Sequence, residues 1–235
     1  MTPILVLCAF LVSGYSSFSQ TDIKLRHFKA RNGVEFDYLI KFPTDFDPNK
    51  SYDAVISFSS MRYDKNQAYD NITRLWTNND WIVVVPIAPE SGRNGWINHP
   101  AHHGLEDFMK SILKKYKISK HQFHLVGFRD GAVPAQTYVE MSSPFFRSLV
   151  IMSSTYWDHY EISNYRKIRN LEIPFILLYG EKDEKGRNYA ENVVKQMKAV
   201  DGRVQYEVVS GADQYLTEIL NAQFNKLLIN YLSFW

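Results

Sequence analysis

Six short apolar runs, separated by segments whose apolar residues recur every three or four positions, constrain this chain more than any other feature. The runs are Ala54–Phe58, Trp81–Pro86, Phe123–Gly127, Leu149–Met152, Phe175–Gly180 and Val204–Val209. Nearly continuous apolar runs of this length suit strands covered on both faces, whereas a half-solvated strand alternates. Between them, Leu105, Phe108, Met109, Ile112, Leu113 and Tyr116 keep helical spacing, as do Tyr189, Val193, Val194, Met197 and Val200. Leu216, Ile219, Leu220, Phe224, Leu227 and Tyr231 repeat the pattern near the end of the sequence. Strand–helix alternation predicts an α/β fold, a mostly parallel sheet between helical layers. Ahead of it, Ile23–Lys29 and Glu35–Phe42 alternate around the turn signal Asn32-Gly33, which predicts a half-exposed antiparallel pair. Ligands of open parallel sheets meet the loops at the carboxyl ends of the strands, so the chemistry is sought there.

The composition fits one globular domain with a large core: 235 residues, 45% hydrophobic and 22% charged. A net charge of +2 without a long basic block provides no phosphate-binding surface, so nucleic acid is not an expected partner. The densest basic stretch, Lys110 to Lys120, lies along the end of a predicted helix, where cations complement the dipole.

At the start, Ile4–Val12 is an apolar run too short to span a membrane, followed by small and polar residues. It reads as a signal peptide over residues 1–19, ending at Ser17-Phe18-Ser19, with residues 20–235 forming a single domain. The expectation is a secreted or periplasmic protein whose mature form has no transmembrane segment and, with Cys8 removed, no cysteine. His99, His102 and His103 fall within five residues, and imidazole suits zinc or copper. No thiolate or fourth ligand has matching spacing, and solvated histidines in a loop before a helix account for them; no metal or other cofactor is expected. Asn71-Ile72-Thr73 fits a glycosylation acceptor.

The informative stretch is Phe123-His124-Leu125-Val126-Gly127-Phe128-Arg129-Asp130-Gly131-Ala132, an apolar strand running through a turn flanked by glycines into a helix. It resembles the nucleophile elbow, G-x-S-x-G, of the α/β-hydrolases, with Arg129 at the serine position. Reading Asp130 as the nucleophile would put bulky Phe128 where the turn needs a small residue. Phe175-Ile176-Leu177-Leu178-Tyr179-Gly180-Glu181-Lys182-Asp183 matches the strand and loop that bear the family's acid, with Asp183 at the acid position. Val208 to Gln214 resembles the loop that presents the histidine, with Gln214 in its place. Val55-Ile56-Ser57-Phe58-Ser59-Ser60 is similar to the strand ending in His-Gly beside the oxyanion hole. The resemblance runs from about Glu35 onward and is nearest to compact esterases: polyhydroxybutyrate depolymerases and feruloyl or acetylxylan-type carbohydrate esterases. It implies an α/β-hydrolase fold with little or no lid, oxyanion-equivalent positions at Ser59, Ser60 and Asp130, and a triad that is no longer intact.

Arginine cannot act as an acyl-transfer nucleophile, because its guanidinium stays protonated. Glutamine cannot shuttle a proton as the histidine does. Three readings follow. The first is a non-catalytic binding protein for an anionic, carbohydrate or aryl ligand, with Arg129, Trp96, Tyr156 and Trp157 as candidate contacts, although packing also explains the aromatics. The second is a hydrolase with displaced catalytic residues, for which Ser153, Ser154, Ser59 and Ser60 are hydroxyls near the site. The third is a structural or partner-interaction module. Arg129 sits at a helix start, where the dipole disfavours a cation. The sequence points to Asp183 or an external anion as its counter-charge.

Overall fold

The computed structural model describes residues 23–58, 65–77, 80–88, 99–141, 143–154, 162–214 and 222–233. The strands are β1 (Ile23–Lys29), β2 (Glu35–Lys41), β3 (Ala54–Phe58), β4 (Ile82–Pro86), β5 (Phe123–Phe128), β6 (Phe146–Met152), β7 (Phe175–Gly180) and β8 (Gln205–Val209). The helices are α1 (Lys65–Leu75), α2 (His99–Lys115), α3 (Ala132–Met141), α4 (Ile162–Asn170), α5 (Glu184–Ala199) and α6 (Ala222–Ser233). All eight strands form one sheet in the order β1-β2-β4-β3-β5-β6-β7-β8. Pairing is parallel from β4 through β8 and antiparallel for β1 with β2 and β2 with β4.

Each of the six predicted apolar strands is present, with ends moved by a few residues; β6, for example, begins at Phe146. Their side chains alternate between two cores. Ile56, Leu125, Leu149 and Leu177 face α2, α3, α4 and α5, while Val55, Val126, Val150 and Leu178 face α1 and α6. Both faces are therefore covered, which is why these strands carry no polar stripe.

The hairpin departs from the half-exposed expectation. β1 is an edge strand and is mostly exposed, but β2 pairs on both sides and is buried over most of its length. Phe36 and Tyr38 pack edge-on against Phe108 of α2 at 5.2 and 4.7 Å between ring centroids. On the opposite face, Lys41 is 1% exposed and its Nζ donates to the Trp76 carbonyl just beyond α1. The ammonium thus caps a helix C-terminus, the end that favours a cation. Burial holds its pKa below the usual lysine range.

One further expectation changes. His99 to His103 open α2 rather than lying in a loop before it, and their side chains fall outside the described residues. Among the described residues, no cluster of His, Cys, Asp and Glu is placed to hold a metal. Asn71 lies inside α1, where Ile72 is buried and the Thr73 hydroxyl donates to the Tyr69 and Asp70 carbonyls at 3.1 and 2.8 Å. No helix among the described residues is long and apolar enough to cross a membrane.

Candidate functional site

The carboxyl ends of β3, β5, β6, β7 and β8 share one edge of the sheet, and Arg129, Asp183 and Gln214, the residues expected at the triad positions, follow β5, β7 and β8 there. β5 leads into a tight turn at Arg129–Gly131 and then into α3. Arg129 has φ 53°, a left-handed conformation that costs a non-glycine residue about 1–2 kcal/mol. The tightness of the turn shows at Gly127, where a Cβ would lie 2.6 Å from Ala132 Cα and 2.8 Å from the Gly131 carbonyl oxygen. A serine nucleophile elbow places its serine at this strained apex. Arg129 occupies it, and Asp130, one residue further, is buried at 5% exposure. Both residues interact with neighbouring groups.

Asp183 follows β7, as the resemblance implies, but it serves another purpose. It is the N-cap of α5: Oδ1 accepts from Gly186 N at 2.9 Å. At 6% exposure it is tucked against Gly186, where any Cβ would collide with the carboxyl group. Its Oδ2 is buried without a hydrogen-bond partner. Among the described residues no ion pair joins it to Arg129, so the expected Arg129–Asp183 pair is not formed. The local sequence explains the choice, because an Asp with a glycine three residues on can bring its carboxylate onto the helix's free N–H groups. Asparagine caps as well as aspartate, so Asp183→Asn is expected to stay within about 0.5 kcal/mol of wild type in urea denaturation, while Asp183→Ala loses about 1 kcal/mol or more. An Asn variant as unstable as the Ala variant would return the charge, rather than the cap, to the centre of the account.

Gln214 is exposed at the end of the loop after β8. That loop is fastened to the end of β7: Glu181 N donates to Val209 O at 3.0 Å and Lys182 N to Ala212 O at 2.8 Å. The Glu181 carboxylate accepts from Gly211 N at 2.8 Å and from Ser210 Oγ at 3.0 Å. These contacts, the Gly211 amide first, hold its pKa below the usual glutamate range. The loop position is built, but it presents a carboxamide with no titrating nitrogen.

Ser153, after β6, stands apart from an ordinary loop hydroxyl. It has φ 48°, is 5% exposed, and its Oγ has no hydrogen-bond partner. No histidine among the described residues bonds it. His124 instead bonds Ser148 at 2.7 Å, near the amino ends of β5 and β6, at the opposite end of these strands from the elbow. Ser59, Ser60, Trp96, Tyr156 and Trp157 lie outside the described residues, as does the predicted signal peptide.

No protein-family model matches this sequence, and no curated protein does. Solved structures do match. A thermostable esterase superposes with a TM-score of 0.70 at 18% identity over 90% of this chain, which spans 62% of that esterase's length. A feruloyl esterase module from Clostridium thermocellum, complexed with sinapinate, gives 0.64 at 15% identity, covering 87% of each chain. A fluorophosphonate-binding serine hydrolase of Staphylococcus aureus gives 0.68 at 10% identity over 91% of this chain and 98% of its own. The chain has the α/β-hydrolase fold, of the esterase-like kind. It carries that fold with arginine at the elbow.

Proposed function

We propose that this chain is an exported, non-catalytic member of the esterase-like fold that binds a carboxylate-bearing aryl or sugar molecule at the elbow. The observation that carries this reading is Arg129 at the left-handed apex. There the arginine is next to the start of α3, whose backbone N–H groups also favour an anion. Guanidinium pairs with a carboxylate through two parallel hydrogen bonds, which an ester cannot match. A serine at that apex would serve an ester; an arginine serves the free acid. The feruloyl esterase complex with sinapinate, a carboxylate, supports the choice of ligand class. The diversion of Asp183 into a helix cap and the exposed carboxamide of Gln214 support the absence of turnover. The apolar run Ile4–Val12 supports export.

Hydrolysis of p-nitrophenyl acetate is expected at the buffer rate, because loss of a single triad member already removes several orders of magnitude. Calorimetric titration with sodium ferulate is expected to show saturable binding, absent for methyl ferulate and abolished by Arg129→Gln. Turnover above the blank that survives Arg129→Ala, or equal binding of acid and ester, would overturn the reading.

A further inference from the structure

Ser153 pays two penalties at one position. A left-handed backbone disfavours any residue with a Cβ, and a buried hydroxyl without a partner forgoes the hydrogen bonds it would make in water. Glycine would avoid both, and alanine the second. Strained backbone and orphaned buried polar groups recur together at functional sites. The location fits that pattern. Phe128 pairs with Met152 as the last partners of β5 and β6, so Arg129 and Ser153 each follow directly at the same edge of the sheet. Neighbouring parallel strands are about 4.8 Å apart, within reach of a single bound carboxylate. Two adjacent strand ends therefore carry non-glycine residues with φ near 50°, one a cation and the other an unpartnered hydroxyl.

We infer that Ser153 is a second ligand-binding residue of the elbow site, its hydroxyl donating to the carboxylate that Arg129 pairs with. This rests on the carboxylate-binding reading of Arg129. It adds a selectivity rule: the site offers donors to both carboxylate oxygens and favours a planar, unesterified acid over a neutral ester or amide. The Ser153 hydroxyl oxygen is buried in the ligand-free fold, so a carboxylate must uncover it to bind, and once bonded is withdrawn from water, where a charge-assisted hydrogen bond gains strength.

The test is titration of the full chain with sodium ferulate for wild type, Ser153→Ala, Ser153→Gly and Arg129→Gln, with thermal melts of each. Ser153→Ala is expected to weaken ferulate binding by about 10-fold or more, as loss of a hydrogen bond to a charged group does, with an unchanged or higher Tm. Ser153→Gly should weaken it equally and melt higher still, because it also relieves the strained backbone. Equal affinity in wild type and Ser153→Ala would overturn the role of Ser153 and leave that of Arg129 standing. No binding by wild type would overturn both. A fall in Tm for Ser153→Ala would reveal an internal partner and overturn the inference. Covalent labelling of Ser153 by a fluorophosphonate would make it a nucleophile and overturn it in favour of a displaced hydrolase.

Discussion

Gly127→Ala is expected to destabilise the protein by about 3 kcal/mol, a fall in Tm on the order of 6–12 °C for a domain of this size. The added methyl would lie 2.6 Å from Ala132 Cα and 2.8 Å from the Gly131 carbonyl oxygen. Both are backbone atoms at the start of α3, so no rotamer change relieves the contact. The strand and helix would have to separate where Ala132 and Ala135 pack fully buried. Arg129→Gly, two residues away, acts in the opposite sense, because it removes the cost of a left-handed arginine. In urea denaturation the two variants are expected to differ by about 3 kcal/mol or more. Similar stabilities would mean that the strand–helix junction accommodates the methyl, and that the tight turn is not what holds Arg129 in its strained conformation.

Acid sensitivity is expected to begin well above the carboxylate range, and His124 is the cause. Its ring is fully buried, with Nδ1 on Ser148 Oγ at 2.7 Å and the Trp81 ring 4.9 Å away. Burial, reinforced by the charges of Arg147 and Lys120, pushes its pKa down to about 3. An unfolded histidine titrates near 6.5, so below that pH the unfolded chain binds a proton the folded one excludes. Stability is therefore complete above about 6.5 and falls with pH until the folded pKa is passed. At pH 5 the loss is about 2 kcal/mol, at 1.36 kcal/mol per unit. His27 works in the opposite direction: a hydrogen bond to Asp37 raises its pKa, so its contribution is complete below 6.5 and fades as pH rises through the raised value. Being solvent-exposed, it offsets little. Chemical denaturation at pH 7 and 5 should show a wild-type loss that His124→Gln largely removes; equal slopes would mean that the imidazole is protonated in the fold.

Much of the fold was legible because burial on both faces leaves an unmistakable trace. Strands such as β4 and β7 are apolar at nearly every position, and nothing but a covered sheet accommodates that. α1 was harder to see, since only Ala68, Ile72 and Leu75 mark its buried face in an otherwise polar segment. Lys41 misled for the opposite reason: a charged residue reads as solvent-facing until the Trp76 carbonyl is found beside it. At the site, the elbow could be read from glycine spacing, because Gly127 is dictated by backbone distance alone. The orientation of Asp183 could not, since one carboxylate can face either its own helix or the loops across the edge. The signal that decides it, Gly186 three residues on, looks like any other helix-opening residue. Ser153 was equally hidden, because neither a backbone torsion nor an unpartnered hydroxyl leaves a mark in the amino-acid order.

The cap at Asp183 separates two meanings that a carboxylate at this position can carry. The helix after β7 needs its first turn closed whatever chemistry the neighbouring loops perform, and the Gly186 amide gives the aspartate that work. An aspartate at this position is therefore poor testimony for turnover by itself, and the apex of the elbow, where a nucleophile would stand, is the better witness.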